Sequence, residues 1–365
     1  MASKEDFRKK LVDLFLNTNK CRSVLFLAEA SIRKAYREMF PTEIASLECM
    51  DGRVDVTYIT KTPIGIIQVY SEGGGQFDFG WFSFGWLIRR WVKYSLKKKR
   101  NKIILCSYHF SKGDKHRCCA WFKYDTEAAK KHQQYLVSQF KSAFKKNHEV
   151  YPIMIGVDTD TDGIIVHGID GKILDLREFN SDKKELLIGI KELFPQMTDC
   201  VIKDFAQLLL GNIQHIKEVK ELNRPIQSID HQEQFLFLGR GFEWFNLLNK
   251  ALEVGPYNPD LSKPIIVAAK VLLQNIQKGR IPAEEGILLV TSAVYGTDDN
   301  TEYHHGLAKA RFLAKFAKEV IADNVKELLP YLHEEPLVGV LNFDTFEYKE
   351  IGLEPVEDVK EEVLV

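Results

Sequence analysis

The sequence predicts an α/β protein: a mainly parallel sheet flanked by helices, built as one unit present twice and preceded by a short helical arm. Three observations carry that expectation. Apolar β-branched runs alternate with amphipathic stretches, the order a parallel sheet with crossover helices requires. A constant offset of 184 residues sets Ile103 on Ile287, Pro152 on Pro336 and Asp160-Thr161 on Asp344-Thr345, the mark of an internal repeat. With 365 residues the chain is also longer than one small core organises.

The elements follow in order. Residues 5–40 read as two amphipathic helices, with Leu11, Leu14, Phe15, Val24, Leu27, Ala28 and Ile32 recurring at three- and four-residue spacing. A short strand over 44–48 sets Cys49 at its end. The β-branched run 64–70 suits a buried parallel strand, and Ser71-Glu72-Gly73-Gly74-Gly75 follows as a loop that lets backbone approach closely. A Trp- and Arg-rich helix over 86–96 ends in Lys97-Lys98-Lys99-Arg100, a solvated C-terminus where cations suit the helix dipole. Residues 102–108 form a strand with His109 at its tip. A helix begins near Asp125 with Ala128, Ala129, Leu136, Phe140 and Phe144 on one face, and 152–157 is a further strand. In the second half, 286–294 and 336–340 read as strands and 307–321 as a helix with Ala310, Leu313, Ala317 and Val320 inward. The expected division is an arm over 1–43, a catalytic domain over 44–225 and a degenerate second copy over 226–365.

Bulk composition narrows the function. Hydrophobic content of 45% and charged content of 28% are ordinary for a globular protein. A net charge of −1 gives no reason to expect nucleic acid or an anionic membrane as partner. The start, Met1-Ala2-Ser3-Lys4-Glu5-Asp6, has no apolar core of signal-peptide type, and no run approaches the roughly 20 apolar residues of a membrane helix. Six cysteines in a chain this long do not form a disulfide framework. The expected setting is a reducing cytoplasm.

The chemistry lies in two patches. Cys49-Met50-Asp51-Gly52-Arg53 places a soft ligand, a carboxylate and a guanidinium within five residues. The second patch runs from His109 to Ala120 and contains His109, His116, Cys118 and Cys119. A lone cysteine is more often core than ligand. Together, however, the patches supply two thiolates and an imidazole, the protein ligand set of a catalytic zinc whose fourth position is open. No Cys-x-x-Cys knuckle is present, so a site assembled between neighbouring strands is expected rather than a structural zinc. His116 has the shorter spacing to the cysteines and His109 sits at the strand tip; either can serve. At the repeat offset His109 falls on Ala293 and Cys119 on Tyr303, and no cysteine follows Cys200. The nearest second-half counterpart of the first patch is Leu236-Phe237-Leu238-Gly239-Arg240, which keeps Gly-Arg and lacks Cys and Asp.

Cys-x-Asp-x-Arg followed by a His and Cys pair after the next core strand resembles the ligand pattern of β-carbonic anhydrases, and is most similar to their carboxysome-shell type. His109-Phe110-Ser111-Lys112-Gly113-Asp114 before Cys119-Ala120 matches that type. So do Gly74-Gly75-Gln76-Phe77-Asp78-Phe79-Gly80-Trp81, Asp158-Thr159-Asp160-Thr161-Asp162 and Gly239-Arg240-Gly241-Phe242. The resemblance covers about residues 44–350. It implies Zn2+ held by Cys49, His109 and Cys119, with His116 the alternative to His109. It also implies reversible hydration of carbon dioxide to bicarbonate by zinc-bound hydroxide. Asp51 and Arg53 become the catalytic dyad, Arg53 holding Asp51 off the metal. The glycine loop with Phe77 and Phe79 is expected to wall a small apolar pocket. The two copies would pair as an internal pseudo-dimer, which could dimerise again. The shell enzymes carry a large helical N-terminal domain, whereas few residues precede Cys49 here, so a cytoplasmic location is expected rather than a carboxysomal one.

Two rival functions share the pattern: hydrolysis of carbon disulfide or carbonyl sulfide, and a metal-binding but inactive scaffold. Asp158-x-Asp160-x-Asp162-Gly163 also matches the first half of a calcium loop. Ile169 stands where that loop needs a bidentate Glu, so a turn between strands is expected. His304-His305 has no cysteine near it, and the acidic tail 354–362 reads as a solvated terminus.

Overall fold

The computed structural model describes residues 3–147, 149–179, 182–223, 235–240, 251–255, 262–296 and 300–353. The acidic tail and the pair Gly241-Phe242 lie outside them. The chain opens with α1 (Lys4–Ala28), started by a Ser3–Asp6 capping box, and α2 (Ala30–Met39). There follow β1 (Glu43–Cys49), the single turn α3 (Val56–Ile59), β2 (Ile67–Glu72) and a 3-10 turn at Gly73–Gly75. Next come α4 (Phe82–Lys97), β3 (Lys102–Phe110), α5 (Thr126–Ala143), β4 (Val150–Asp158), β5 (Gly163–His167) and β6 (Ile173–Asp175). Helices α6 (Lys183–Leu193) and α7 (Asp199–Glu221) lead to the second half: β7 (Phe235–Arg240), β8 (Ala251–Val254), α8 (Ser262–Gln277), β9 (Leu288–Tyr295), α9 (Asn300–Asn324), β10 (Leu337–Asn342) and β11 (Tyr348–Glu350).

The strands form one sheet in the order β11-β10-β9-β8-β7-β2-β1-β3-β4-β5-β6. Two parallel blocks, β2-β1-β3-β4 and β7-β8-β9-β10, meet antiparallel at β2 and β7, and each has an antiparallel strand beyond it. Such blocks bury both faces. Ala45, Leu47, Tyr70, Ile104 and Cys106 pack beneath Phe84 and Ile88 of α4 and Leu136 and Phe140 of α5. Ile44, Ile67, Val69, Ile103 and Leu105 belong to the opposite core with Phe205 and Leu209 of α7.

The sheet bears out the α/β expectation and corrects several details. Strand β2 begins only at Ile67, because Pro63 and Gly65 (φ +87°) make a turn closed by Ile66 N–H donating to Pro63 O at 3.1 Å. On α1 the packed face is Val12, Phe15, Asn19 and Ser23, whereas Leu14, Val24, Leu27 and, on α2, Ile32 are exposed. Polar residues occupy the packed face because they bond backbone: Asn19 Nδ2 donates to Phe346 O (2.9 Å), Tyr348 N–H to Asn19 Oδ1 (2.8 Å) and Ser23 Oγ to Thr345 O (2.7 Å). The two halves show similar strand arrangements, but Ile104 faces Pro152 while Val290 faces Leu337, one residue out of common register. Leu236–Arg240 is not the spatial counterpart of the Cys49 patch. It lies antiparallel beside β2 as part of β7, and the strand set beside β9 as β1 is beside β3 is Ala251–Val254.

Candidate metal centre

Three elements deliver the candidate ligands to the C-terminal ends of the first parallel block, where α/β sheets gather functional groups. Cys49 is the last residue of β1. The pairing Leu47↔Cys106 sets the end of β1 level with the end of β3, so His109 arrives beside it. Cys119 returns at the N-terminus of a 3-10 turn, Ala120–Phe122, after an irregular loop. Their ligand atoms lie within 4.8 Å of one another, and all three residues are buried. The sulfurs of Cys49 and Cys119 are 3.7 Å apart. Neither ring nitrogen of His109 makes a hydrogen bond of ordinary geometry, although the side chain is 1% exposed; the polar groups beside it are the Cys49 thiol and the Asp51 carboxylate. A buried imidazole held only by such weak contacts is costly unless something else engages it. Burial pushes the Cys49 thiol well above its ordinary value, and Cys119 beside it adds to the rise. A cation would reverse that preference, because metal binding requires the thiolate. Among the described residues no other group of three such side chains comes together in this way.

The sequence-predicted residues separate cleanly here. His116 does not join the cluster: its side chain is exposed, and its backbone N–H donates to Asp114 Oδ1 at 2.8 Å. Cys118 turns away, near Ser111 O (3.8 Å) and Thr126 Oγ1 (3.5 Å). Asp51 and Arg53 form a buried pair at the rim. Asp51 Oδ1 accepts from Arg53 N–H at 2.9 Å, an Asp-Gly turn closed on its own chain, and Arg53 Nε donates to both carboxylate oxygens at 2.9 and 3.1 Å. Asp51 Oδ2 stands 3.9 Å from His109 Nε2. Burial alone would raise the Asp51 carboxyl, but the Arg53 charge and hydrogen bonds outweigh it and hold the group well below the usual carboxylate range.

The glycine turn lies over the ends of β1 and β3. A Cβ on Gly75 (φ +61°) would stand 3.1 Å from Ser107 O and 3.4 Å from the Glu48 carbonyl carbon. Phe77 and Phe79 do not wall a pocket together with the glycine turn, as the sequence led one to expect. They pack with Phe84, Phe140 and Phe144 under α4 and α5, because their strand-to-helix connection points to that face of the sheet. The rings laid on the turn are Trp121 and Phe122, and Trp121 Nε1 donates to Gln76 Oε1 at 2.9 Å. Sequence reasoning missed them; their place two and three residues after Cys119 was the available signal. The second half also reaches the rim, since Phe237 N–H donates to Met50 O at 2.9 Å and Lys263 Nζ lies 5.2 Å from the Trp121 ring centre.

The chain is also similar in sequence to known proteins. Residues 40–186, which hold all five rim and cluster residues, match the family model for the catalytic domain of carboxysome shell carbonic anhydrase. Over this segment the chain is similar to that family. A protein named carboxysome shell carbonic anhydrase from Prochlorococcus marinus subsp. pastoris is 28% identical over 237 residues, covering 55% of this chain and 46% of the relative. One of the same name from Parasynechococcus marenigrum is 27% identical over 239 residues, covering 55% and 40%. Another, from Halothiobacillus neapolitanus, is 25% identical over 252 residues, covering 56% and 48%. Each match thus spans less than half of the relative's own length. Among the described residues no helix is long and apolar enough to cross a membrane.

Proposed function

We propose that this chain is a zinc-dependent carbonic anhydrase, interconverting carbon dioxide and bicarbonate at the Cys49–His109–Cys119 cluster. One observation carries the reading: two buried thiols and a buried imidazole that makes no ordinary hydrogen bond converge beside a buried carboxylate that is already claimed by an arginine. The 3.7 Å sulfur separation is close to the roughly 3.8 Å between two thiolates on one tetrahedral zinc with bonds of about 2.3 Å. Zinc held there supplies a Lewis acid that makes water nucleophilic without a strong base.

The chain's own residues do the rest. Arg53 keeps Asp51 ionised and turned to the guanidinium, so the carboxylate is not left seeking a cation of its own. As a carboxylate Asp51 only accepts hydrogen bonds. At the rim it therefore orients a reacting O–H and cannot act as a donor to the ligand atoms. We also read the two halves as copies meeting through β2 and β7 as an internal pseudo-dimer, divided as arm 1–43, catalytic 44–225 and metal-free 226–365. We place the protein in the cytoplasm, with the carboxysome as the second location because the relatives named are shell proteins.

Zinc content by plasma mass spectrometry and carbon dioxide hydration by stopped flow test the reading. Stoichiometric zinc and fast hydration are expected for the native chain, with both lost in Cys49→Ala. Stoichiometric zinc without hydration would replace the enzyme by a metal-binding scaffold.

A further inference from the structure

We infer that the Asp158–Asp162 turn sets the position of Cys119, with Asp160 as the positioning residue. The inference rests on the reading of Cys119 as a metal ligand. Between His109 and Cys119 the chain makes a loop with little secondary structure of its own, a 3-10 turn at Lys115–Arg117. Such a loop has backbone donors to satisfy and many conformations to lose. Its anchor comes from the neighbouring strand end. Because β3 and β4 run parallel with Phe110 opposite Asp158, the segments leaving them emerge side by side.

One carboxylate gathers the loop. Asp160 accepts from Ser111 Oγ at 2.9 and 2.8 Å, from Lys112 N–H at 3.0 Å, from Gly113 N–H at 2.9 Å and from Arg117 Nη1 at 2.8 Å. The flanking Thr159 holds both ends: its N–H donates to Phe110 O at 2.9 Å, and its Oγ1 lies 3.2 Å from Phe110 O and 3.4 Å from Arg117 O. Arg117 is two residues from Cys119, so fixing it leaves the thiol little freedom. The anchor is itself braced. Asp160 N–H donates to Asp158 Oδ1 at 3.0 Å, and Asp158 Oδ2 accepts from Arg177 Nη1 at 2.8 Å.

The third carboxylate of the turn provides the contrast. Asp162 Oδ2 meets His215 Nε2 at 2.9 Å, on α7 and not on the loop. The three acids at alternate positions, a half-match to a calcium loop in the sequence, thus face separate partners in the fold. Asp158 and Asp162 tie the turn to Arg177 and α7, and Asp160 ties the ligand loop to the turn.

The test uses the full chain with Asp160→Ala, Asp160→Asn and, as the structural comparison, Asp162→Asn. Asp160→Asn keeps an oxygen acceptor for the N–H groups but loses the charge that holds Arg117, so it remains informative if the alanine variant fails to fold. In metal-free, reduced protein, labelling of Cys119 by a maleimide is read by peptide mass mapping with buried Cys106 as reference. We expect labelling about tenfold faster or more in Asp160→Ala, less acceleration in Asp160→Asn and native rates in Asp162→Asn. With cobalt(II) as probe, the thiolate-to-metal absorption band should report an affinity about 10–100-fold weaker in Asp160→Ala, the range for partners that orient metal ligands. Native labelling rates in both Asp160 variants, or equal acceleration in Asp162→Asn, overturn the inference. If the native chain binds no cobalt while Cys119 protection still depends on Asp160, the metal reading fails and the positioning role stands.

Discussion

Asp51 is 2% exposed, and a carboxylate so buried survives only with its charge answered. Arg53, two residues on, answers it through a fork that a lysine could not reproduce. Removing Arg53 alone therefore strands a buried charge. Arg53→Ala should cost about 3–5 kcal/mol in urea denaturation of the metal-free protein, and the Asp51→Ala/Arg53→Ala double variant distinctly less. Equal losses in the two would mean that the pair is not coupled as its geometry indicates. The pair was legible in the sequence because both partners lie within one turn. The choice between His109 and His116 was not, since both histidines fit a ligand spacing, and only the path of the loop separates a buried ring from an exposed one.

At the level of elements, the glycine turn shows where backbone freedom is used. A Cβ on Gly73 would meet the Trp121 ring at 2.2 Å, so Gly73→Ala must displace the ring that follows Cys119. We expect a loss of about 1–3 kcal/mol, as for overpacked sites, together with reduced metal content. Gly189, inside α6, meets only Leu174 Cδ1 at 3.7 Å, and Gly189→Ala should instead stabilise by about 0.5–1 kcal/mol. Thermal melts of the two variants should move in opposite directions; a shared sign would refute the packing argument. Three adjacent glycines announced a close approach, but Gly73-Gly74-Gly75 cannot say what approaches. The answer, an indole from the ligand loop, depends on contacts across the fold.

For the whole molecule, the arm joins parts that the sequence sets far apart. Helix α1 packs on the second half, with Phe26 stacked on Phe346 at 3.7 Å and Asn19, 2% exposed, completing the backbone bonds of Phe346 and Tyr348. Asn19→Ala removes this side-chain partner from a buried carbonyl and a buried N–H, a cost on the order of 1–3 kcal/mol in all. A lowered unfolding midpoint with faster proteolysis near the arm is expected; an unchanged midpoint would show that the arm contributes little. The exposed Leu14 and Leu27 mislead a periodicity reading, because helix patterns assume apolar inward faces and this one docks partly through hydrogen bonds.

By itself the sequence determined the alternation of strands and helices, the strand ends at which the candidate residues gather, and residue types able to hold a soft metal. These follow from local periods and from groups close in the chain, which physical chemistry reads directly. Only the tertiary structure decided that His109 and not His116 meets Cys49 and Cys119. It also decided that Phe77 and Phe79 serve the core beneath α4 and α5, and that β7 faces β2 across the seam. Those outcomes depend on strand order, loop path and the partner each buried polar group finds, and none of these is a property of neighbouring residues.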